Sequence, residues 1–255
     1  MCLDSAPEGV GAATEDNGAQ ITFVEAAVDS AAALGYAVNQ EITCAQCTVA
    51  SATGGSAYTR FGRTQCPAGH SVVYAGIGAG SYFDKSGGTN QYVCLPPNPE
   101  YLLVSTADDA TSSLSRIEYQ LGTSPRLAYI GNGDASCAVC QRPKASSIAI
   151  MIPGKLSCPV GAVIDYIGLL VAQNKVQYKT DFTCLDRDPV AAGDVAGNNN
   201  GALMYPVEME SGVGQVIQPG GYRNFWELPC VVCSRSWPHL CVMSRAVVCE
   251  SSPCP

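Results

Sequence analysis

A Cys-X-X-Cys motif occurs three times in this chain, as Cys44-Ala45-Gln46-Cys47, Cys137-Ala138-Val139-Cys140 and Cys230-Val231-Val232-Cys233, and it recurs every 93 residues. A fixed period constrains architecture more than any local propensity, because each period has to be one folding unit. More than the motif lines up. Cys66-Pro67-Ala68-Gly69 matches Cys158-Pro159-Val160-Gly161, Tyr74 and Gly76 match Tyr166 and Gly168, and Cys94-Leu95 matches Cys184-Leu185. Gly62-Arg63 matches Gly154-Lys155, Asn98-Pro99 matches Asp188-Pro189, and Glu118 matches Glu208. The period predicts an N-terminal arm over 1–43, a first repeat over 44–136 and a second over 137–229. Residues 230–255 form a truncated, Cys-rich third repeat.

Fourteen cysteines in 255 residues suit an oxidising compartment better than the cytosol. The expectation is a secreted protein with a disulfide framework built from Cys2, Cys44, Cys47, Cys66, Cys94, Cys137, Cys140, Cys158, Cys184, Cys230, Cys233, Cys241, Cys249 and Cys254. Connectivity does not follow from sequence alone. The repeat favours Cys66 with Cys94 and Cys158 with Cys184, leaving the motif cysteines to bridge between repeats. Cys2 is left to the tail or to another chain. Zinc and thiol redox are the competing uses of such motifs. The strand-like surroundings disfavour redox, and spacing far beyond a ribbon loop disfavours zinc. The first residues, Met1-Cys2-Leu3-Asp4-Ser5, have neither the basic start nor the apolar stretch of a secretory leader.

Hydrophobic residues make up 47% and charged residues 14%, enough apolar matter for a core and too much for disorder. A net charge of −8 argues against a nucleic-acid partner. No apolar run is long enough to span a membrane. Short runs rich in β-branched and aromatic residues, bounded by Gly, Pro and Asn-Gly, read as strands. They are 71–74, 91–94 and 116–119 in the first repeat, and 147–152, 162–166 and 202–205 in the second. The fold class is therefore all-β, a tandem pair of disulfide-rich subdomains.

One segment reads differently. Between Ile21 and Val38, Val24, Ala27, Val28, Ala31 and Leu34 recur at helical spacing. The expectation is a short helix, either lying on the domain's own surface or serving in oligomerisation through Val24, Val28 and Leu34. A strand donated to a neighbour is the third option. Arg60 and Arg63, beside Tyr58 and Phe61, are expected to stack or to pair with carboxylates at a subunit surface.

No catalytic constellation emerges. His70 and His239 lie in no metalloprotease motif, and there is no nucleophile elbow. Gly76-Ile77-Gly78-Ala79-Gly80 lacks the following helix and the lysine of a phosphate loop, and reads instead as a tight backbone crossing. The acidic stretches do not follow a calcium-loop pattern. Glu118 and Glu208 read as a structural hydrogen bond in each repeat. The chain is expected to be no enzyme and to need no cofactor and no metal.

Several stretches resemble a known family. They include 58–67 (Tyr-Thr-Arg-Phe-Gly-Arg-Thr-Gln-Cys-Pro), 86–96 and Asn98-Pro99-Glu100-Tyr101. In the second half they include Met151-Ile152-Pro153-Gly154, 200–208 and the motifs at Cys137 and Cys230. Together they resemble the non-collagenous C-terminal domain of sponge-type short-chain (spongin) collagens, over about residues 44–235. That domain is related to the non-collagenous domain of type IV collagen. The resemblance implies a duplicated, disulfide-rich β unit that drives assembly in extracellular matrix. No Gly-X-Y segment precedes it in these 255 residues, so the expected role is a self-standing matrix, mucus or filament subunit. Its partners would be further copies, other matrix proteins or glycans. The competing expectation is a secreted carbohydrate- or protein-binding module using Tyr82-Phe83-Asp84, Trp226 and Trp237.

Overall fold

The computed structural model describes residues 24–26, 42–45, 55–101, 112–122, 124, 126–143, 147–192, 198, 200–210 and 222–236. Among these the protein is essentially all-β. The one helical element is a single 3₁₀ turn, Ala128–Ile130. The strands are β1 (Val24–Ala26), β2 (Ala57–Phe61), β3 (Ser71–Gly80), β4 (Val93–Leu95) and β5 (Ser112–Tyr119), then β6 (Ser136–Gln141) and β7 (Ser147–Pro153). They continue with β8 (Ala162–Ala172), β9 (Thr183–Asp186), β10 (Ala202–Pro206) and β11 (Pro229–Ser236).

The later two Cys-X-X-Cys motifs lie inside β6 and β11, and these strands are central. β6 pairs with β2 on one side and β3 on the other. β11 pairs with β7 and β8 in the same way. A strand flanked on both edges has its main-chain groups paired on both sides. Cys230, Val231, Val232 and Cys233 are all buried, as are Cys137, Ala138 and Cys140. Each of these two motifs thus pairs with the strands that precede it, so the expected boundary at 137 falls within β6, and the two halves of the structure are β1–β6 with the segment to 143 and β7–β11.

This placement corrects the expected disulfides. Residues three apart on a strand point to opposite faces. The two cysteines of a motif therefore reach different layers, and each takes one of the earlier cysteines. The bonds are Cys66–Cys140 and Cys94–Cys137 in the first half, and Cys158–Cys233 and Cys184–Cys230 in the second. Cys66 does not bond Cys94, and Cys158 does not bond Cys184. Cys44 is also disulfide-bonded. Cys2, Cys47, Cys241, Cys249 and Cys254 lie outside the described residues. Cross-links closing 43 to 75 residues each stabilise by roughly 3–4.5 kcal/mol in the chain-entropy picture.

The registers of the two halves agree pair for pair. Val72 faces Cys140 and Gly76 faces Cys137, as Ile164 faces Cys233 and Gly168 faces Cys230. Tyr58 faces Cys140 and Phe61 faces Cys137, as Ile150 faces Cys233 and Pro153 faces Cys230. Ile77 faces Leu95 as Leu169 faces Leu185. Each half even skips one residue at the same level, Val73 in β3 and Asp165 in β8, a β-bulge in both.

Strand order closes on itself. It runs β5-β10-β8-β9-β2-β6-β3, and β3 pairs back to β5. The larger core lies inside that circuit and draws Phe61, Ile117, Tyr119 and Cys137 from the first half, with Val171, Leu185, Ala202 and Met204 from the second. The halves share this core, and a smaller cluster of Tyr166, Leu170, Cys184, Cys230 and Val232 lies within the second half.

Gly76-Ile77-Gly78-Ala79-Gly80 is the end of β3. A Cβ on Gly76 would lie 1.8 Å from the Leu95 carbonyl oxygen, and one on Gly168 equally close to that of Leu185. These glycines allow strands β3 and β8 to approach their neighbours. At the N-terminus, Val24–Ala26 is a strand, parallel to β5, where helical spacing had predicted a helix. An isolated short helix is marginal in water, whereas β5 offers a backbone ladder. Val28 and Leu34 lie outside the described residues.

Candidate assembly interface

The halves meet along two strand contacts. Phe61 of β2 pairs with Leu185 of β9, and Ile117–Tyr119 of β5 pair in parallel with Ala202–Met204 of β10. The amide of Val190 also donates to the Gly62 carbonyl at 2.8 Å.

Polar side chains fill the first contact. Arg60 of β2 donates through Nε to Asp186 of β9 at 2.9 Å, and its guanidinium lies 5.4 Å from the Tyr166 ring centre. Arg63 Nε is 3.6 Å from the same carboxylate. Both arginines thus address a carboxylate of their own chain, and Arg60 is only 13% exposed.

Beside them lies a cluster that the sequence did not announce. The bulge in β8 places Asp165 against residues of the first half. Arg142, fully buried, donates through Nη2 to Asp165 at 2.7 Å and through Nε to Ser234 Oγ at 2.6 Å. Ser234 in turn donates to Asp165. Arg142 lies 4.2 Å from the Tyr58 ring centre. Tyr58 Oη sits 2.8 Å from His70 Nδ1, and His70 Nε2 lies 3.5 Å from Asp165. Burial pulls the His70 pKa below its ordinary value. Asp165 opposes that shift, while Arg142 and Arg60 add to it. Burial pushes the Tyr58 hydroxyl up, helped by Asp165. The charges are divided by half. Arg60, Arg142 and His70 come from the first, and Asp165 and Asp186 from the second.

Each of these residues has a counterpart by register, and the counterparts differ in chemistry. Tyr58 corresponds to Ile150, Arg60 to Ile152, His70 to Ala162, Asp165 to Val73 and Asp186 to Pro96. Only Arg142 keeps its charge, as Arg235. The counterparts lie on or beside β7, β8, β3 and β4. Among the described residues β7 pairs with β11 alone and β4 with β3 alone. Their equivalents, β2 and β9, pair with each other. Exposed apolar side chains stand on β7 and at the starts of β3 and β8. Val72 and Val73 are 49% and 57% exposed, and Ile148, Ile150, Val163 and Ile164 are exposed as well.

A cavity of about 290 Å³ opens beside β7, between Met151 and Ala149 on one side and Tyr58, Tyr166 and Phe182 on the other. No group of three metal-ligating side chains occurs among the described residues. Glu118 is buried, accepting from Gln120 Nε2 and from the Asn200 amide, while Glu208 is exposed. Tyr82 and Phe83 pack together at 5.0 Å, and Trp226 stands 58% exposed with Arg223 over its ring. Trp237 lies outside the described residues. No described helix is long and apolar enough to cross a membrane. No family model and no curated protein matches the chain.

Proposed function

We propose that this protein is a secreted, extracellular structural subunit that joins copies of itself head to tail. Its two halves are copies of one unit, and the contact between them inside the chain is repeated between chains. The observation that carries this reading is the pairing of two edge strands. Among the described residues β7 and β4 each pair on one side only, whereas their equivalents β2 and β9 also pair with each other. An uncovered edge strand is a liability that folds ordinarily blunt with charge or proline. Here Ile150 of β7 is exposed, and so are Val72 and Val73 at the start of β3, the strand that β4 pairs with. The apolar surface suits a contact that buries it. Four disulfides among the described cysteines support the oxidising, extracellular setting. The resemblance to non-collagenous matrix domains agrees with an assembling role rather than an enzymatic one.

A β7–β4 contact is heterologous, so it generates a ring if the rotation closes and a filament if it does not. Sedimentation velocity over a concentration series tests it. The expected result is a concentration-dependent oligomer that Ile150→Asp and Val73→Asp each dissociate without loss of the far-ultraviolet β signal. A monomer at every concentration would sink the proposal. A carbohydrate-binding role finds its support in the exposed Trp226. A saturable glycan signal lost on Trp226→Ala, in a strictly monomeric protein, would favour it.

A further inference from the structure

The second contact between the halves also recurs, and this time its recurrence is filled. Ile117, Glu118 and Tyr119 of β5 lie parallel to Ala202, Leu203 and Met204 of β10. Val24, Glu25 and Ala26 of β1 lie parallel to Ser112, Ser113 and Leu114 at the start of β5. Val24 stands 93 residues before Ile117, the spacing of the cysteine motifs. Ser112 stands as far past Cys94 as Ala202 stands past Cys184. β1 therefore makes on β5 the contact that β5 makes on β10, in the same direction and register.

The same accounting leaves one donor without an acceptor. Val207-Glu208-Met209 occupies the place after Cys184 that Ile117-Glu118-Tyr119 occupies after Cys94. All three segments, with Val24-Glu25-Ala26, read apolar-Glu-apolar. The inner sides of two of them are used alike. Ile117 and Tyr119 bond the backbone of 132–135, and Val207 and Met209 bond that of 225–228. The outer side differs. Leu203 of β10 lies beside Glu118, whereas the main chain of Glu208 faces no described strand on that side. The carboxylates report the same difference, since Glu118 is 2% exposed and Glu208 is exposed.

We propose that Val207–Met209 is a docking strand for a second copy of this chain, that its receptor is the start of β5, and that β1 occupies that receptor as a built-in stand-in. Strand addition of this kind takes its affinity from main-chain hydrogen bonds and its selectivity from alternate side chains. The occupant has to be parallel, three residues long and patterned apolar-Glu-apolar, and the chain itself supplies that sequence at 207–209. β1 is thus an intramolecular competitor that sets how readily copies join. The inference rests on the head-to-tail reading and adds its regulation.

The test uses the full-length chain and a fluorescein-labelled peptide of residues 204–211. Glu25→Pro removes an amide donor from β1 and should release the receptor, because proline cannot pair within a ladder. The variant should bind the peptide saturably and at least ten-fold tighter than the unaltered chain does. A peptide carrying proline at the Glu208 position should not bind. Equal affinity for both proteins, or binding to neither, overturns the proposal. Ala26→Pro provides an independent release should Glu25→Pro fail to fold. Hydrogen exchange on the unaltered chain adds a third reading. Excess peptide should speed exchange at 24–26 while 112–114 stays protected, and no change at 24–26 counts against β1 as competitor. Peptide binding with an unchanged native mass would uphold strand exchange and remove the assembly reading. Oligomers without peptide binding would do the reverse.

Discussion

Arg142 donates to Asp165 at 2.7 Å across the boundary between the two halves, and neither side chain is more than 1% exposed. A buried pair adds little net stability over an apolar replacement, but breaking it strands a charge. Asp165→Ala leaves the Arg142 guanidinium buried with Ser234 and Ser56 as its remaining polar neighbours. The expected loss is about 3–5 kcal/mol in urea unfolding with the disulfides intact. Asp165→Leu combined with Arg142→Met should recover most of it, since no charge is then left unpaired.

His70 makes the same boundary sensitive to acid. Its folded pKa lies below the ordinary histidine value because burial disfavours the cation. The unfolded ring titrates near about 6.5. A depressed pKa contributes stability that is complete above the unfolded value and is lost as pH falls through the folded one. The thermal midpoint should therefore decline between pH 7 and pH 5. His70→Gln keeps a polar side chain without the titration, so its midpoint should change less over that range. Equal slopes for the two proteins would assign the acid sensitivity elsewhere.

Much of the fold was legible because short β-branched and aromatic runs bounded by turn residues mark strands locally, and β3, β7, β8 and β10 begin where those runs begin. The disulfides were not, because equal offsets in two halves constrain pairings to match without choosing among them. Choosing requires knowing that Cys137 and Cys140 lie on a central strand and face opposite ways. Val24–Ala26 was misread because alanine and valine at helical spacing resemble an amphipathic helix when the ladder on β5 is out of sight. The boundary cluster did have a signal. Asp165, Asp186 and Arg60 are charged where the equivalent positions hold Val73, Pro96 and Ile152. A charge that one half carries and the matched position of the other lacks marks a position with a different neighbour.

Glycine at 168 is required by its neighbour rather than by its own backbone angles. A Cβ there would meet the Leu185 carbonyl oxygen at 1.8 Å, a backbone atom that cannot swing aside. Gly168→Ala should force β8 and β9 apart and cost about 3 kcal/mol or more. Gly69 gives the contrast. A Cβ there meets nothing within 4 Å, but the residue sits at φ +81°. Gly69→Ala is expected to cost about 1–2 kcal/mol from backbone strain alone. Denaturant midpoints of the two variants should fall in that order.

Ionic strength separates the contact inside the chain from the contact proposed between chains. Inside, Arg60 meets Asp186. The positions that correspond on and beside β7 and β4 hold Ile152 and Pro96, with Ile150 and Val73 at the positions of Tyr58 and Asp165. Screening weakens exposed ion pairs and leaves apolar burial untouched. Excluded salts such as sulfate even strengthen burial. Assembly of the unaltered chain should therefore persist or tighten from 0.05 to about 1 M sodium sulfate. Installing the inner pair at the outer edges, as Ile152→Arg with Pro96→Asp, should preserve head-to-tail assembly at low salt and make it fall apart as salt rises. Ile152→Arg alone should prevent assembly at all salt concentrations, because an unpaired guanidinium would then be carried into an apolar contact. Light scattering across the salt series checks all three. If the single variant assembled as well as the unaltered chain, β7 would not be the joining edge.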